Sequence, residues 1–213
     1  DFVGWTFRKA PGFFDIVTWT GDNDTNRAIS HSLGSSPGMI IVKNTSNTFD
    51  WAVWHRSIWN TSTYKSLQLN TTGGQNGWNS FWGVSAPTSS HFYVRSNGAN
   101  VSGQTYVAYV FAHDDQQYGN AGNTSVIKCG SYTGNGNSST PPEINLGWEP
   151  QWVMVKRSNG SGDWVVMVDS MRGMFSGLSQ TPHLRANSTN AEQDTSYYRI
   201  DISSGTGFAP FTT

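Results

Sequence analysis

Laid over itself with an offset of 113 residues, the chain repeats. "WTGDNDTNRAISHSLGSSPGMIIVKNTSNTFDWAV" (Trp19–Val53) falls on "YTGNGNSSTPPEINLGWEPQWVMVKRSNGSGDWVV" (Tyr132–Val166). From Thr20 to Val53 there are 10 identities in 34 ungapped columns. Leu33-Gly34 falls on Leu146-Gly147, Pro37 on Pro150, Val42-Lys43 on Val155-Lys156 and Asp50-Trp51 on Asp163-Trp164. Chance low-complexity stretches share Gly and Ser. They do not share a Lys after an apolar run with Asp-Trp at a fixed distance behind it. A repeat of about 100 residues implies tandem units of one architecture. Farther on, "LQLN" (Leu67–Asn70) meets "LRAN" (Leu184–Asn187) after a short insertion.

The opening stretch fits the same scheme. Phe2-Val3-Gly4-Trp5-Thr6-Phe7 aligns with Tyr106-Val107-Ala108-Tyr109-Val110-Phe111, which closes the first full unit. We therefore expect residues 1–12 to supply the closing strand of a preceding repeat. Residues 13–117 form a first complete β-sandwich repeat, and 118–213 a second that lacks its last strand. Such a chain is a window on a longer array. The alternative is that Phe2–Lys9 supplies the missing strand, within the chain or from a neighbouring copy, because an uncovered sheet edge exposes unpaired backbone.

Within the first unit the pattern predicts seven strands: Phe14–Thr20, Asn26–Ser32, Met39–Asn44, Trp51–Ser57, Lys65–Leu69, His91–Arg95 and Tyr106–Ala112. "MIIVK" is a continuous apolar run, expected at a sheet centre. Turn signals at Gly34 to Gly38, Gly73-Gly74, Asn76-Gly77 and Asn97-Gly98 separate the runs. No stretch shows a 3.6-residue apolar period. The expected fold is all-β, with tandem β-sandwich repeats of jelly-roll or immunoglobulin-like topology and no substantial helix.

Composition agrees. Charged residues make up 13%, about half the usual share, while aromatics reach 14% with 10 Trp, which no disordered chain would carry. The formal charge of −1 gives no electrostatic case for nucleic acid or an anionic membrane. No run approaches the roughly 18 apolar residues of a membrane helix. Cys129 stands alone, so it has no intrachain disulfide partner.

Several motifs invite chemistry and fail on their own terms. "GSSPG" (Gly34–Gly38) fits the serine-hydrolase pattern, but Pro37 has no N–H for an oxyanion and a strand follows instead of a helix. "DNDTN" (Asp22–Asn26) has calcium-loop spacing, but Arg27 and Leu33 stand where an EF-hand needs Gly and Glu. A hairpin tip is the simpler reading. His31, His55, His91, His113 and His183 show no metal-ligand spacing, so no metal site and no cofactor are expected. The recurring Asp50-Trp51 and Asp163-Trp164 lack the facing second carboxylate a glycosidase needs. We expect the Asp to steady a turn and the Trp to pack in the core.

The Trp-rich segments remain. Alternation in "WAVWHRSIWN" puts Trp51, Val53 and His55 on one face and Ala52, Trp54 and Arg56 on the other. If the first set is core, Trp54 and Arg56 point outward. Trp78, Phe81 and Trp82 lie in the Gly/Asn-rich "GGQNGWNSFWG". Such aromatics pack one domain on its neighbour, or stack on a pyranose ring. Trp54, Arg56, Trp78 and Trp82 are the candidate contacts for a glycan or a protein.

"GMIIVKNTSNTFDWAVWHRS", "LQLN", "GVSAPTSSHFYV" and "YVAYVFA" together resemble a repeat of tail-fibre-like virion proteins of tailed phages, common in marine and cyanobacterial phages. The junction "FVGWTFRKAPGFFDIVTWTG" resembles that family's inter-repeat join. The resemblance covers nearly the whole chain. It implies a non-enzymatic, extracellular virion component that presents β-domains for host-surface attachment. Its partners would be other virion chains, further copies in a homotrimer, and a host glycan, with no nucleic acid and no membrane insertion. It carries over no catalytic residue. The rival expectations are a capsid decoration or spacer that binds only virion chains, and a free-standing carbohydrate-binding module. An enzyme such as a glycan depolymerase would need a cleft with paired carboxylates.

Overall fold

A computed structural model describes residues 2–77, 81–113, 121, 122, 124–174, 181–194, 198–203 and 205–212. The protein is all-β, and the described residues hold no α-helix, only antiparallel sheets and one 3₁₀ turn. Hence no described helix is long and apolar enough to cross a membrane. The chain divides into two compact units: Asp1–Leu69 with Gln75–Gly130, and Asn70–Gly74 with Ser131–Thr213.

The first unit contains β1 (Phe14–Thr20), β2 (Arg27–Ser30), β3 (Met39–Asn44), β4 (Ala52–His55), β5 (Leu67–Gln68), β6 (His91–Val94) and β7 (Thr105–Phe111). These are the seven expected strands: β1 and β3 match end to end, β7 is shifted by one residue, and the other four are trimmed. Five form a sheet in the order β1-β7-β3-β4-β5, and β2 pairs with β6. β3 sits in the middle of the sheet, and Met39 to Val42 are all buried, as its unbroken apolar run predicts. β2 starts at Arg27 and not at Asn26, whose backbone N–H donates to Asp24 Oδ1 at 2.9 Å instead of to a neighbouring strand.

The core lies between the five-stranded sheet and the β2–β6 pair. It gathers Ile40, Val42, Ala52, Tyr106, Ala108 and Val110 from the sheet, and Ile29, Phe92 and Val94 from the pair. Trp19 stacks on its cross-strand neighbour Tyr106 with ring centroids 5.2 Å apart. Its indole N–H donates to Ala99 O at 3.0 Å, so the ring is buried without a lost hydrogen bond. "GSSPG" is the loop into β3, where Ser36 Oγ donates to Pro87 O at 3.2 Å.

Phe2–Lys9 pairs with no described strand of this chain. A strand exists only through its ladder, and β1 pairs with β7 alone. The arm instead enters the turn at Gly12, whose φ of 67° suits glycine. Side chains hold its second half. The Phe7 ring lies 5.5 Å from Phe14 and 5.6 Å from Phe111. Lys9 Nζ meets Asp15 Oδ1 at 2.7 Å.

The second unit contains β8 (Ile144–Asn145), β9 (Trp152–Lys156), β10 (Trp164–Asp169), β11 (Leu184–Arg185), β12 (Tyr198–Ser203) and β13 (Gly207–Thr212). Its sheets are ordered β11-β10-β9 and β12-β13-β8. Val153, Val168, Met174, Ile200, Ile202 and Phe208 fill the space between. At the offset of 113, β9 and β10 fall on β3 and β4. The register agrees at first: Val155 pairs with Val165 as Val42 pairs with Ala52. It then slips by one residue at a bulge between Val165 and Val168.

Candidate contact surface

Of the four residues expected at a contact site, two are in the core. Trp54 is 4% exposed and packs beside its cross-strand partner Ile40, 6.1 Å from the Trp59 ring. Alternation correctly groups it with Ala52, but this face, and not that of Trp51 and His55, is the one turned to the core. On the opposite face Val53 and Ile41 are buried, while Ile16 in the same row is 42% exposed. Trp82 is 2% exposed. Its indole N–H donates to Ser66 Oγ at 3.1 Å. The segment around it is not an open loop but runs beside β6, with Gly83 N–H donating to Tyr93 O and Arg95 N–H to Phe81 O. Neither Trp ring can offer a face to a sugar. Arg56 is exposed just beyond β4, with its N–H donating to Gly38 O at 3.0 Å. Trp78 lies outside the described residues.

The surface aromatics are elsewhere. Trp51 is half-buried and stacks on Tyr109, with centroids 6.4 Å apart and planes at 18°. Lys43 Nζ lies 5.7 Å from the Trp51 centroid, a cation–π contact. Tyr109 is opposite Ile16 on β1 and Ile41 on β3, so the three share one row across the sheet. Ile16 is 42% exposed and Phe49 41%. This partly apolar face, with a cation at its edge, is a candidate contact surface. The sequence held the signal in the repeated Lys and Asp-Trp. Read as a register, that spacing sets Lys43 opposite Trp51.

The repeated polar residues have structural work that explains their spacing. Lys43 Nζ donates to Phe49 O, and Lys156 Nζ donates to Gly162 O, the same position 113 residues on. Each Lys thus clasps the carbonyl just before the Asp and closes its hairpin. Asp50 Oδ2 accepts from Gln68 Nε2 on β5 at 2.6 Å. Asp163 accepts from Asn187 Nδ2 at 2.8 Å and pairs with Arg185 Nη1 on β11 at 2.8 Å. The expected turn-steadying role is therefore a side-chain clamp onto the next strand. Of the two Trp, Trp164 is buried as expected and Trp51 is not.

The Asp22–Asn26 loop holds a cation of its own. Asp22 Oδ1 accepts from Asp24 N–H and Asn100 Nδ2, while Asp22 Oδ2 lies 3.2 Å from Arg27 Nη1. The backbone N–H of Asp24 and the Asn100 amide, with Arg27 beside them, hold the Asp22 carboxyl below its ordinary range. Among the described residues no group of three or more His, Cys, Asp or Glu could hold a metal ion.

The histidines serve the backbone. His31 Nδ1 accepts from Leu33 N–H, which leaves Nε2 to donate to Thr88 O at 3.2 Å. Burial lowers its pKa. His55 Nδ1 accepts from Ser57 N–H, and burial, reinforced by Arg56 and His113, pushes its pKa down to about 4. Asp15 is buried between Lys9 Nζ and the N–H and hydroxyl of Ser32. Burial raises its pKa, but these donors together outweigh that and leave it lowered.

A family model described as "Domain of unknown function (DUF7483)" matches residues 8–209. No curated protein and no solved structure matches the chain.

Proposed function

We propose, for a chain that belongs to the DUF7483 family, the role of a non-enzymatic structural segment of a phage virion: part of a fibre or appendage that presents β-domains outside the cell for host attachment. The observation that carries this reading is the reuse of one hairpin lock. Lys43 with Asp50, and Lys156 with Asp163, close equivalent hairpins in two successive units. A module whose repeated polar residues hold its own strands is suited to serial use as a spacer and a platform. The carboxylates add support. Asp15, Asp22, Asp50, Asp163 and Asp169 are each engaged by donors of their own unit. The resemblance to tail-fibre repeats supplies the virion context. The attachment surface in this reading is the Trp51–Tyr109–Ile16 face, in place of the buried Trp54 and Trp82.

The test is immunogold electron microscopy of purified phage particles encoding this chain, with antibody raised against it. Gold along a tail appendage supports the reading. A protein found only free in the lysate overturns it.

The burial of Trp54 and Trp82 favours a second reading, a spacer that binds only other virion chains. Particles carrying Trp51→Ala and Tyr109→Ala distinguish the two. A spacer leaves host adsorption unchanged, whereas an attachment face loses it.

A further inference from the structure

In the first unit the edge of β3 that faces away from β4 is filled by β7, with Met39 opposite Phe111, Ile40 opposite Val110, and so on to Asn44 opposite Tyr106. β9 is the counterpart of β3. Among the described residues it pairs with β10 alone and stands at the edge of its sheet. An edge with no described partner, beside buried Val153, invites another strand.

The chain also carries a segment of the right sequence in the wrong state. Phe2–Phe7 matches β7 column by column, yet it forms no strand. Its tip is open to solvent, with Phe2 106% and Val3 43% exposed. We propose that Phe2–Thr6 of one copy adds as a strand to the β9 edge of a second copy, while Phe7 stays packed in its own unit. The mode is β-strand addition: main-chain hydrogen bonds give affinity, and alternate side chains give specificity.

The β3–β7 pairing fixes the register. Carried over by the two alignments, it sets Phe2 opposite Arg157, Val3 opposite Lys156, Gly4 opposite Val155, Trp5 opposite Met154 and Thr6 opposite Val153. Phe2, Gly4 and Thr6 then stand where Tyr106, Ala108 and Val110 stand in the first unit. Those three face the core. Val153 and Val155, their new neighbours, belong to the core of the second unit. The small Gly4 takes the place of the small Ala108, which keeps that position uncrowded. Each copy offers one arm and one edge, and the two differ, so the contact is head-to-tail. It links copies into a row unless the rotation closes a ring. This inference does not depend on the virion reading.

The test uses cysteine pairs in the full chain. Gly4→Cys copies are mixed with Val155→Cys copies under mild oxidation, and non-reducing gels are read for dimer. A Cβ at Gly4 meets nothing within 4 Å in the single copy, so the substitution leaves the unit intact. Directly opposed residues come within disulfide range, while those two places along do not. The expected result is a reducible dimer, at least tenfold reduced when Val153→Cys replaces Val155→Cys. A mixture that gives no dimer overturns the proposal. So does a Gly4→Cys/Val155→Cys double variant that cross-links only within one chain.

Sedimentation of the unaltered chain against Val3→Pro gives an independent readout. Val3 stands where Val107 stands, on the alternate set of β7 residues that bonds β3, as Thr45 N–H donating to Thr105 O shows. Pro there removes a donor to β9 from an arm that forms no strand in the single copy. The proposal expects mass that rises with concentration for the first and a monomer for the second. Equal behaviour of the two overturns it.

Discussion

Asp50 and Gln68 are joined side chain to side chain at 2.6 Å, across the two strands that end the larger sheet. In the second unit Asp163 takes Arg185 at the position of Gln68 and adds Asn187. The same carboxylate does the same work with a neutral partner in one unit and a charged one in the other. This separates conserved geometry from conserved chemistry, and it can be measured. Asp50→Ala should cost about 1 kcal/mol, the worth of an ordinary hydrogen bond. Asp163→Ala should cost more, about 2–3 kcal/mol, because a guanidinium only 18% exposed loses its carboxylate. Urea unfolding of each variant checks this, and equal losses would contradict it.

Acid should destabilise the protein in two steps. The folded state lowers the His55 pKa from 6.5 to about 4 through burial, aided by Arg56 and His113. Between those values the unfolded chain binds a proton that the folded chain does not. Stability is therefore full above pH 6.5 and falls as pH drops toward 4. At about 1.4 kcal/mol per unit the loss is at most about 3.5 kcal/mol. His31 and His183 lean the same way, since burial lowers both. Asp15 supplies the lower step: its folded pKa is below 3.8, so its contribution is present above that value and lost beneath it. In thermal melts against pH, His55→Gln should flatten the upper step and Asp15→Asn the lower.

Cys129 should resist thiol reagents in the folded protein. Burial pushes its pKa up to about 12, so almost no thiolate exists at pH 8. Its Sγ faces Ala112 O at 3.5 Å. One equivalent should react with Ellman's reagent in denaturant and almost none in buffer. Immediate native labelling would contradict the burial of this side chain.

Gly38→Ala should destabilise the first unit by about 1–3 kcal/mol through overpacking. A Cβ there would stand 2.7 Å from Cys129 Cβ and 2.8 Å from Ala112 O, one of them backbone that cannot turn aside. Gly34→Ala, two turns of loop earlier, would meet no atom but must hold a φ of 78°, a milder strain. The two unfolding midpoints should therefore differ, with Gly38→Ala the lower.

The strands of the first unit were legible because each is a local property: an apolar run, β-branched or aromatic, between turn residues. Met39–Asn44 was legible to its ends. What two-residue alternation does not encode is which of the two faces is turned to the core. For that reason Trp54 reads as outward and is core. Trp82 was hidden differently, since its segment looks like a Gly/Asn loop and its pairing with Val94 is long-range. The arm at Phe2–Lys9 has strand sequence without strand structure, because a strand also needs a partner. The hairpin lock was visible as a repeat, and only coordinates could say that Lys43 reaches Phe49 O.

The bulge between Val165 and Val168 changes what the second unit inherited. By sequence column, Val168 descends from His55 and Asp169 from Arg56. By location, Val168 now stands opposite Val153, the seat that Trp54 holds opposite Ile40. Asp169 moves in behind it and becomes the cap of the Ser170–Arg172 turn, accepting from Arg172 N–H at 3.0 Å. One added residue therefore moves the next side chains by one seat, and the column of the half-buried His55 becomes fully interior at Val168. Beyond that point homology of letters and homology of place part company. Transferring a functional residue between the units must follow the ladder rather than the alignment.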